Sequence, residues 1–181
     1  EIMFNKFIAW LKSLFYNKEL QACIIGLQGA GKTTLTNAIC NDPDRDNTIP
    51  TIGFNVREVK KGKVNLNLWD LGGQNKFRNL WERYCNDAQC IVFVVDSTDQ
   101  NKLSEAKEEL FKLIQMDTLI GKPLLVLANK SDLQTSLKAE QLEQILDLAQ
   151  IQGREVCIYN ISAKNATNID VVIKWMSKYG K

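Results

Sequence analysis

Residues 26–33 (GLQGAGKT) place glycines, a lysine and a threonine in the spacing G-x-x-x-x-G-K-[ST]. They follow an apolar run at residues 20–25 and open a helical pattern that extends to about Cys40. A glycine-rich turn between a strand and a helix directs backbone N–H groups and the positive end of the helix dipole at phosphate oxygens. A turn that binds nothing is the alternative, but chance produces this pattern in well under about one chain in fifty of this length. The motif therefore predicts a phosphate-binding loop.

The side chains of this loop have separate expected roles. Lys32 can reach the β- and γ-phosphates of a nucleotide and assist transfer of the γ-phosphoryl group, and the Thr33 hydroxyl can ligate Mg²⁺. The residues expected to bind the phosphates are Gln28, Gly29, Ala30, Gly31, Lys32, Thr33 and Thr34. Because ATPases use the same kind of loop, the motif by itself leaves the base undecided.

Residues 129–132 (NKSD) indicate guanine as the base. They end an apolar run at residues 123–129, and open α/β sheets bind ligands at the carboxyl ends of their strands. The Asp132 carboxylate can accept hydrogen bonds from N1–H and the exocyclic amine of guanine, whereas adenine has no donors there. Ala163, just past another predicted strand, can offer its backbone N–H to the guanine O6. The residues expected to hold the base are Asn129, Lys130, Asp132, Ser162, Ala163 and Lys164.

Residues 70–74 (DLGGQ) contain groups that could respond to the γ-phosphate. Asp70 can hold Mg²⁺ through a water molecule, and the Gly73 N–H can turn toward the γ-phosphate. Gln74 can orient the attacking water. In the alternative interpretation, Asp70 and Gln74 only cap the helix that follows.

The polar loop at residues 41–53 supplies one more candidate, Thr51, which can ligate Mg²⁺ only while the γ-phosphate holds the loop in place. The chain contains no histidine, which removes every mechanism that needs a histidine base. Phosphoryl transfer depends mainly on positioning and electrostatics. We therefore expect catalysis to rest on Gln74, Lys32 and Thr51.

Composition indicates one ordinary globular domain. The 181 residues are 45% hydrophobic and 24% charged, and the net charge of +2 is too small to indicate a nucleic-acid partner.

Five scattered cysteines predict buried, reduced thiols in a cytosolic protein, since no spacing fits a zinc site. No apolar run approaches the ~20 residues of a membrane-spanning helix. Lys6 and Lys12 interrupt the first apolar stretch and argue against a secretory signal peptide.

Apolar runs alternate with helical patterns along most of the chain, as in a mostly parallel α/β sheet. The predicted strands are residues 20–25, 54–59, 63–69, 90–96, 123–129 and 156–161. The second and third, joined by a turn at Gly62, are expected to form an antiparallel hairpin with one covered face. A final helix is predicted at residues 168–178.

Residues 1–18 are expected to form a separate N-terminal amphipathic helix, and residues 19–181 a GTP-binding domain. Apolar side chains recur at helical spacing, namely Phe4, Phe7, Ile8, Leu11, Leu14 and Phe15. The free energy of burying this stripe nearly balances the cost of ordering the segment, so the helix could move between two sites. We expect it to dock on the GDP-bound domain and to bind membrane in the GTP state. A permanently docked helix is the alternative.

Three segments give the chain a resemblance to the Arf family of small GTPases: residues 50–55 (PTIGFN), 69–74 (WDLGGQ) and 129–132 (NKSD). The resemblance covers essentially the whole chain. It implies a P-loop NTPase small G domain, an α/β fold with a six-stranded, mostly parallel sheet, one antiparallel strand and helices on both faces. It also implies GTP or GDP with Mg²⁺ as ligands, and a role in membrane trafficking. Register sliding of the hairpin would release the N-terminal helix.

Within that family, residues 81–85 (WERYC) and 151–157 (IQGREVC) are similar to the lysosome-associated Arf-like branch. The implied location is the cytoplasm and the cytoplasmic face of endomembranes, with lysosomes or late endosomes as the compartment. If Met3 is the start, Phe4 follows it, so the myristoylated glycine of Arf proteins proper is missing. Peripheral membrane binding is then expected through the amphipathic helix.

Two functions remain open. The first is a regulatory GTPase with an exchange factor and an activating protein, slow by itself because Thr48 stands where some relatives carry a catalytic arginine and Arg45 is too remote. The second is a scaffold that binds GTP and effectors without hydrolysis, against which Gln74 argues. Effectors are expected to bind the two switch regions, which are the loop at residues 41–53 and residues 70–74. Phe54, Trp69 and Tyr84 could form that surface or belong to the ordinary core.

Overall fold

The structure is a computed structural model that describes residues 18–181. The predicted N-terminal helix lies outside these residues, apart from Lys18, which begins the first strand. A six-stranded sheet has the order β2-β3-β1-β4-β5-β6. Its strands are β1 (Lys18–Ile25), β2 (Phe54–Lys61), β3 (Val64–Leu71), β4 (Cys90–Asp96), β5 (Leu124–Asn129) and β6 (Val156–Asn160). Only β2 pairs antiparallel, so the predicted mixed sheet is confirmed.

Helices cover both faces of the sheet, as expected. They are α1 (Lys32–Ile39), α2 (Leu80–Cys85), α3 (Leu103–Ile114), α4 (Ala139–Ile145) and α5 (Ile169–Ser177). One core cluster joins α2, α3 and α4 to one face, and the other joins α1 and α5 to the opposite face. Among residues 18–181 no helix combines the length and the apolar character that crossing a bilayer requires.

The central strands β4 and β5 form because both of their faces are apolar. In β4, Phe93 packs in one core cluster and Val94 in the other, and both are fully buried. Such continuous apolar runs are typical of parallel strands covered on both sides by helices. The five thiols are free, and three of them (Cys23, Cys85 and Cys90) are buried.

Strand limits differ from the prediction where pairing continues past the apolar pattern. The strand β1 begins at Lys18 because this residue pairs with Val64 of β3. The hairpin strands β2 and β3 run to Lys61 and from Val64, which leaves a tight turn at Gly62 with φ +60. A positive φ is readily adopted by glycine, so the turn matches its residue. The carboxyl ends of the parallel strands meet at one edge, where the predicted site residues follow them.

Candidate nucleotide site

The predicted phosphate loop connects β1 to α1, and two of its glycines are required by close contacts. A Cβ atom on Gly26 would lie 2.2 Å from the Val94 carbonyl oxygen, and one on Gly31 would lie 2.2 Å from Asn129 Nδ2. Both glycines also have positive φ angles, +146 and +95. The loop therefore lies directly against β4 and the end of β5, with its backbone at the edge of the sheet.

Lys32 is buried at the first turn of α1 and folds back over the loop. Its Nζ donates a hydrogen bond to the Leu27 carbonyl oxygen at 2.9 Å. Burial lowers the pKa of Lys32 to about 8, although the negative charge of Asp70 acts in the opposite direction. A buried ammonium inside a curled loop favours an anion beside it, which is what a bound phosphate would supply.

Three oxygen-bearing side chains, of Thr33, Thr51 and Asp70, converge beside Lys32. The Thr33 hydroxyl lies 2.7 Å from Asp70 Oδ2 and 2.9 Å from the Thr51 hydroxyl, and the Thr51 hydroxyl lies 3.2 Å from the same carboxylate oxygen. They come from helix α1, the loop at residues 41–53 and strand β3. Tertiary folding thus brings together all three predicted Mg²⁺ ligands.

The chemistry of this cluster fits a Mg²⁺ ion. Asp70 is fully buried, and its Oδ1 atom has no hydrogen-bond partner among residues 18–181. Burial raises the pKa of Asp70, although hydrogen bonds from Thr33 and Thr51 and the charge of Lys32 oppose the rise. Two hydroxyls and a carboxylate are also oxygen donors of the kind that Mg²⁺ takes in proteins.

Gly73 lies tightly against the phosphate loop. A Cβ atom on this residue would be 2.5 Å from both the Gln28 nitrogen and the Gly26 carbonyl oxygen. The Trp81 indole Nε1 donates a hydrogen bond to the Gly72 carbonyl oxygen at 3.2 Å, which anchors the segment to the core. Gln74 lines a cleft beside the phosphate loop, and its side chain caps no helix. Asp70 lies within β3. Neither residue therefore caps the helix that follows, as the alternative interpretation proposed.

Asn129 joins the two loops that flank the base position. Its Nδ2 donates to the Ala30 carbonyl oxygen at 2.8 Å, and its Oδ1 accepts from the Ala163 N–H at 3.0 Å. The Ser162 hydroxyl donates to Asp132 Oδ1 at 2.7 Å and so orients that carboxylate. Four of the predicted base residues, namely Asn129, Asp132, Ser162 and Ala163, are therefore held by hydrogen bonds to one another or to the phosphate loop before any ligand is considered.

Lys130 follows β5 in the left-handed conformation, with φ +68, and its ammonium group pairs with Asp96. Burial raises the pKa of Asp96, but hydrogen bonds from Lys130 and Thr98 outweigh burial and lower it overall. The ion pair with Asp96 holds the Lys130 side chain at the carboxyl ends of β4 and β5. Asp96 is a supporting residue that the motifs did not indicate, although it ends the apolar run of β4.

Two adjoining clefts occupy this edge of the sheet. The larger, about 350 Å³, is lined by Gln28, Gly29, Gly31, Lys32, Thr33, Thr34, Thr48, Ile49, Pro50, Thr51, Gly73, Gln74 and Lys130. The second, about 290 Å³, is lined by Gly31, Thr34, Asp46, Asn129, Lys130, Asp132, Leu133, Ala163 and Lys164. Ala30, Asp70 and Ser162 are buried behind these walls and contact lining residues. All of the predicted site residues therefore meet at one site with a phosphate part and a base part.

Several residues of the walls were not predicted. Thr48, Ile49 and Pro50 line the phosphate part, and Leu133 lines the base part. Asp46 lies 3.8 Å from Lys164 across the base cleft, where both side chains are exposed. No local sequence signal identifies this pair, because the two residues come from separate loops.

Comparison with known proteins agrees with this geometry. The sequence matches the model of the ADP-ribosylation factor family over residues 7–180. It is 47% identical over 179 residues to ADP-ribosylation factor-like protein 8b of Arabidopsis thaliana, and 43% identical over 179 residues to protein 8c of the same plant; each match covers 99% of this chain and 97% of the relative. The Arl6 BBS3 small GTPase from Trypanosoma brucei, solved with the nucleotide analogue GppNp, superimposes with a TM-score of 0.81 and 32% identity over 88% of this chain and 96% of that chain. The chain therefore belongs to the ADP-ribosylation factor family of small GTPases, which bind GTP and hydrolyse it to GDP.

Proposed function

We propose that this protein is a Mg²⁺-dependent GTP/GDP switch whose two states differ mainly in the loop at residues 41–53 and in residues 70–74. The observation that carries the proposal is the convergence of Thr33, Thr51 and Asp70 beside Lys32. Thr51 belongs to a loop with few backbone hydrogen bonds, so its position depends on what it contacts. The γ-phosphate and Mg²⁺ would hold Thr51 in this cluster, so loss of the γ-phosphate would release Thr51 and its loop.

Each side of the site has a distinct task in this proposal. Thr33 and Thr51 would hold Mg²⁺ directly and Asp70 would hold it through water, and the bound ion would neutralise charge on the phosphate oxygens. Lys32 and the Gly73 N–H stabilise the γ-phosphate, and Gln74 orients the attacking water. The remaining residues of the phosphate loop donate backbone N–H groups to the phosphates.

Guanine selection in this proposal rests on Asp132. Ser162 donates to one of its carboxylate oxygens, which leaves the other free to accept from the base. The Ala163 N–H, which is expected to meet the guanine O6, donates to Asn129 Oδ1 in this structure, and Lys130 and Lys164 border the base cleft. Adenine offers no donors to Asp132, so its binding would leave a charged acceptor unpaired.

Hydrolysis is proposed to be slow without an activating protein. Thr48 lines the phosphate part of the cleft, at the position where some relatives carry an arginine. A supplied arginine can raise the rate of phosphoryl transfer by about 10³- to 10⁵-fold. We therefore expect an activating protein to supply such a group, and an exchange factor to promote nucleotide release.

Effectors are proposed to bind the aromatic cluster of Phe54, Trp69 and Tyr84 at the base of the switch segments. The three ring centroids lie 4.5–5.9 Å apart, and Phe54 is 45% exposed. The cluster is packed enough to be rigid and open enough to be contacted, which is typical of interface anchors. Because Phe54 follows the loop that carries Thr51, this surface would report the nucleotide state.

The family membership supports a role in vesicle trafficking. We propose that the protein recruits effectors to the cytoplasmic face of endomembranes, with lysosomes or late endosomes as the compartment, and that residues 1–18 provide peripheral membrane attachment. Flotation with liposomes separates the two hypotheses about that segment. Membrane binding that is stronger with a GTP analogue than with GDP supports a switched helix, whereas equal binding contradicts it.

The central experiment measures affinities for GDP, GTP and ATP with and without Mg²⁺, followed by hydrolysis by wild type and Gln74→Leu. We expect tight, Mg²⁺-dependent guanine binding, exclusion of ATP, and slow hydrolysis that an activating protein stimulates in wild type but not in the variant. Unchanged stimulated hydrolysis in Gln74→Leu would favour the alternative, a GTP-binding scaffold. Equal binding of ATP would contradict the proposed base selection.

A further inference from the structure

Arg78 connects the segment that faces the nucleotide to helix α3. Its Nε lies 3.5 Å from the Gly73 carbonyl oxygen, and its two terminal nitrogens lie 2.7 Å from Glu105 Oε1 and 3.4 Å from Glu109 Oε1. The Arg78 side chain is only 12% exposed. The guanidinium group therefore has three oxygen partners on two separate parts of the chain, and no motif considered above uses it.

Two consecutive carbonyl groups in the switch segment at residues 70–74 accept hydrogen bonds from side chains that follow this segment. Trp81 Nε1 donates to the Gly72 carbonyl oxygen, and Arg78 Nε donates to that of Gly73. No cis peptide bond occurs among residues 18–181, and in a trans peptide the N–H points opposite to the carbonyl. Holding these carbonyls therefore directs the N–H groups of Gly73 and Gln74 away from Trp81 and Arg78.

The hydrogen bonds that Trp81 and Arg78 donate to these carbonyls differ in strength and in location. Trp81 is buried in the core, so its hydrogen bond belongs to the permanent packing of the domain. Arg78 instead reaches Gly73 from a partly exposed position, and its orientation depends on the two carboxylates of α3. A contact of this second kind can form in one arrangement of the segment and break in another at modest cost.

We propose that Arg78 is a positioning residue that stabilises the GTP-bound arrangement of Gly73 and Gln74, with Glu105 and Glu109 as its anchors on α3. The proposal rests on the proposed function, which assigns the γ-phosphate contact to the Gly73 N–H. A contact made in only one state changes the affinity for the ligand of that state alone. Arg78 thereby makes α3 part of the nucleotide switch.

The test compares affinities for GDP and the non-hydrolysable analogue GppNp in three variants of the full chain. Arg78→Met keeps the apolar stem and removes the guanidinium, and we expect a loss of about tenfold in GppNp affinity with less than twofold change for GDP. Removing both anchors with Glu105→Ala and Glu109→Ala leaves Arg78 in place, so a smaller loss of about threefold is expected. Glu105 is 46% exposed but Glu109 only 16%, so the melting temperature of this variant is compared with that of wild type as a folding check.

Lys107→Met is the matched control, because Lys107 lies on the same helix and its ion pair with Asp147 does not involve the switch segment. We expect no selective loss in this variant. Equal losses for both nucleotides in Arg78→Met, or unchanged affinity for both, would overturn the proposal, since a merely structural residue does not discriminate between them. Wild type is measured first, and failure of wild type to bind guanine nucleotides would instead overturn the proposed function.

Discussion

The base half and the phosphate half of the cleft are built differently. In the base half, Asn129 and Asp132 are held by partners within the protein, through Ala30, Ala163 and Ser162. In the phosphate half, Asp70 Oδ1 has no hydrogen-bond partner within the described part of the chain, and the loop at residues 41–53 exposes large apolar side chains such as Ile49, which is 82% exposed.

The contrast separates recognition from switching. A base site with satisfied hydrogen bonds is already formed and should bind the guanine of GDP and GTP equally well. A phosphate half with unsatisfied or exposed groups gains its contacts only from the ligand, so its arrangement should depend on the number of phosphates. Mutations in the two halves should therefore differ in whether they discriminate between GDP and GTP.

The largest expected effect is in the base half, from Asn129→Ala. This change leaves the buried Ala30 carbonyl and Ala163 N–H without partners, at roughly 1–3 kcal/mol each. We expect affinities for GDP and GppNp to fall together, by about 30-fold or more, with a lower melting temperature. Asn160→Ala is the control, because the Asn160 Oδ1 atom makes no hydrogen bond to any residue that the structure describes. A selective loss of GppNp affinity would contradict the division into two halves.

Asp132→Asn should change which base is bound. Loss of the charged acceptor is expected to weaken GDP and GTP binding by about 10- to 30-fold, which corresponds to about 1.4–2 kcal/mol, at the lower end of the roughly 1.5–3 kcal/mol that hydrogen bonds to charged groups contribute. The new amide can donate to the extra carbonyl of xanthine, so xanthosine nucleotides should bind better than to wild type. Competition binding with GDP and xanthosine diphosphate measures both effects. Asp170→Asn, on an exposed face of α5, should change neither.

Thr51→Val tests the phosphate half. The change removes one oxygen from the cluster with Thr33 and Asp70 but keeps the size of the side chain. GppNp affinity in Mg²⁺ should fall by about tenfold and GDP affinity by less than twofold. Thr48→Val is the control, because Thr48 lines the same cleft without joining that cluster. Equal losses for both nucleotides would show that Thr51 does not distinguish the two states.

The smallest expected effect is from Asp46→Asn, on the wall of the base half. Asp46 and Lys164 form an ion pair of 3.8 Å in which both side chains are more than half exposed. Exposed pairs contribute little because water and salt screen them. The dissociation rates of GDP and GTP, followed with fluorescent analogues, should change by less than about twofold. A tenfold faster release would mean that this pair closes the cleft.

Much of the fold and the site could be predicted from the sequence because the signals are local. The glycines of residues 26–33, the continuous apolar run of β4 and the alternating pattern of the hairpin each follow from the conformation of a few adjacent residues. Motif residues at strand ends also meet automatically, since parallel strands share one carboxyl edge. The strands, the sheet class, the phosphate loop and the base motif were accessible in this way.

The sequence by itself thus determined the chemistry of the site, and the tertiary structure decided how that chemistry is held. Asn129 contacts Ala30 from 99 residues away, and Arg78 contacts Glu105 on a helix 27 residues later. Neither pairing leaves a periodic or motif signal, because each depends on the relative position of whole elements. The physical reason is that short-range sterics and burial produce residue patterns that can be recognised in a sequence. A hydrogen bond between distant residues, in contrast, forms only once the packed core has brought them together.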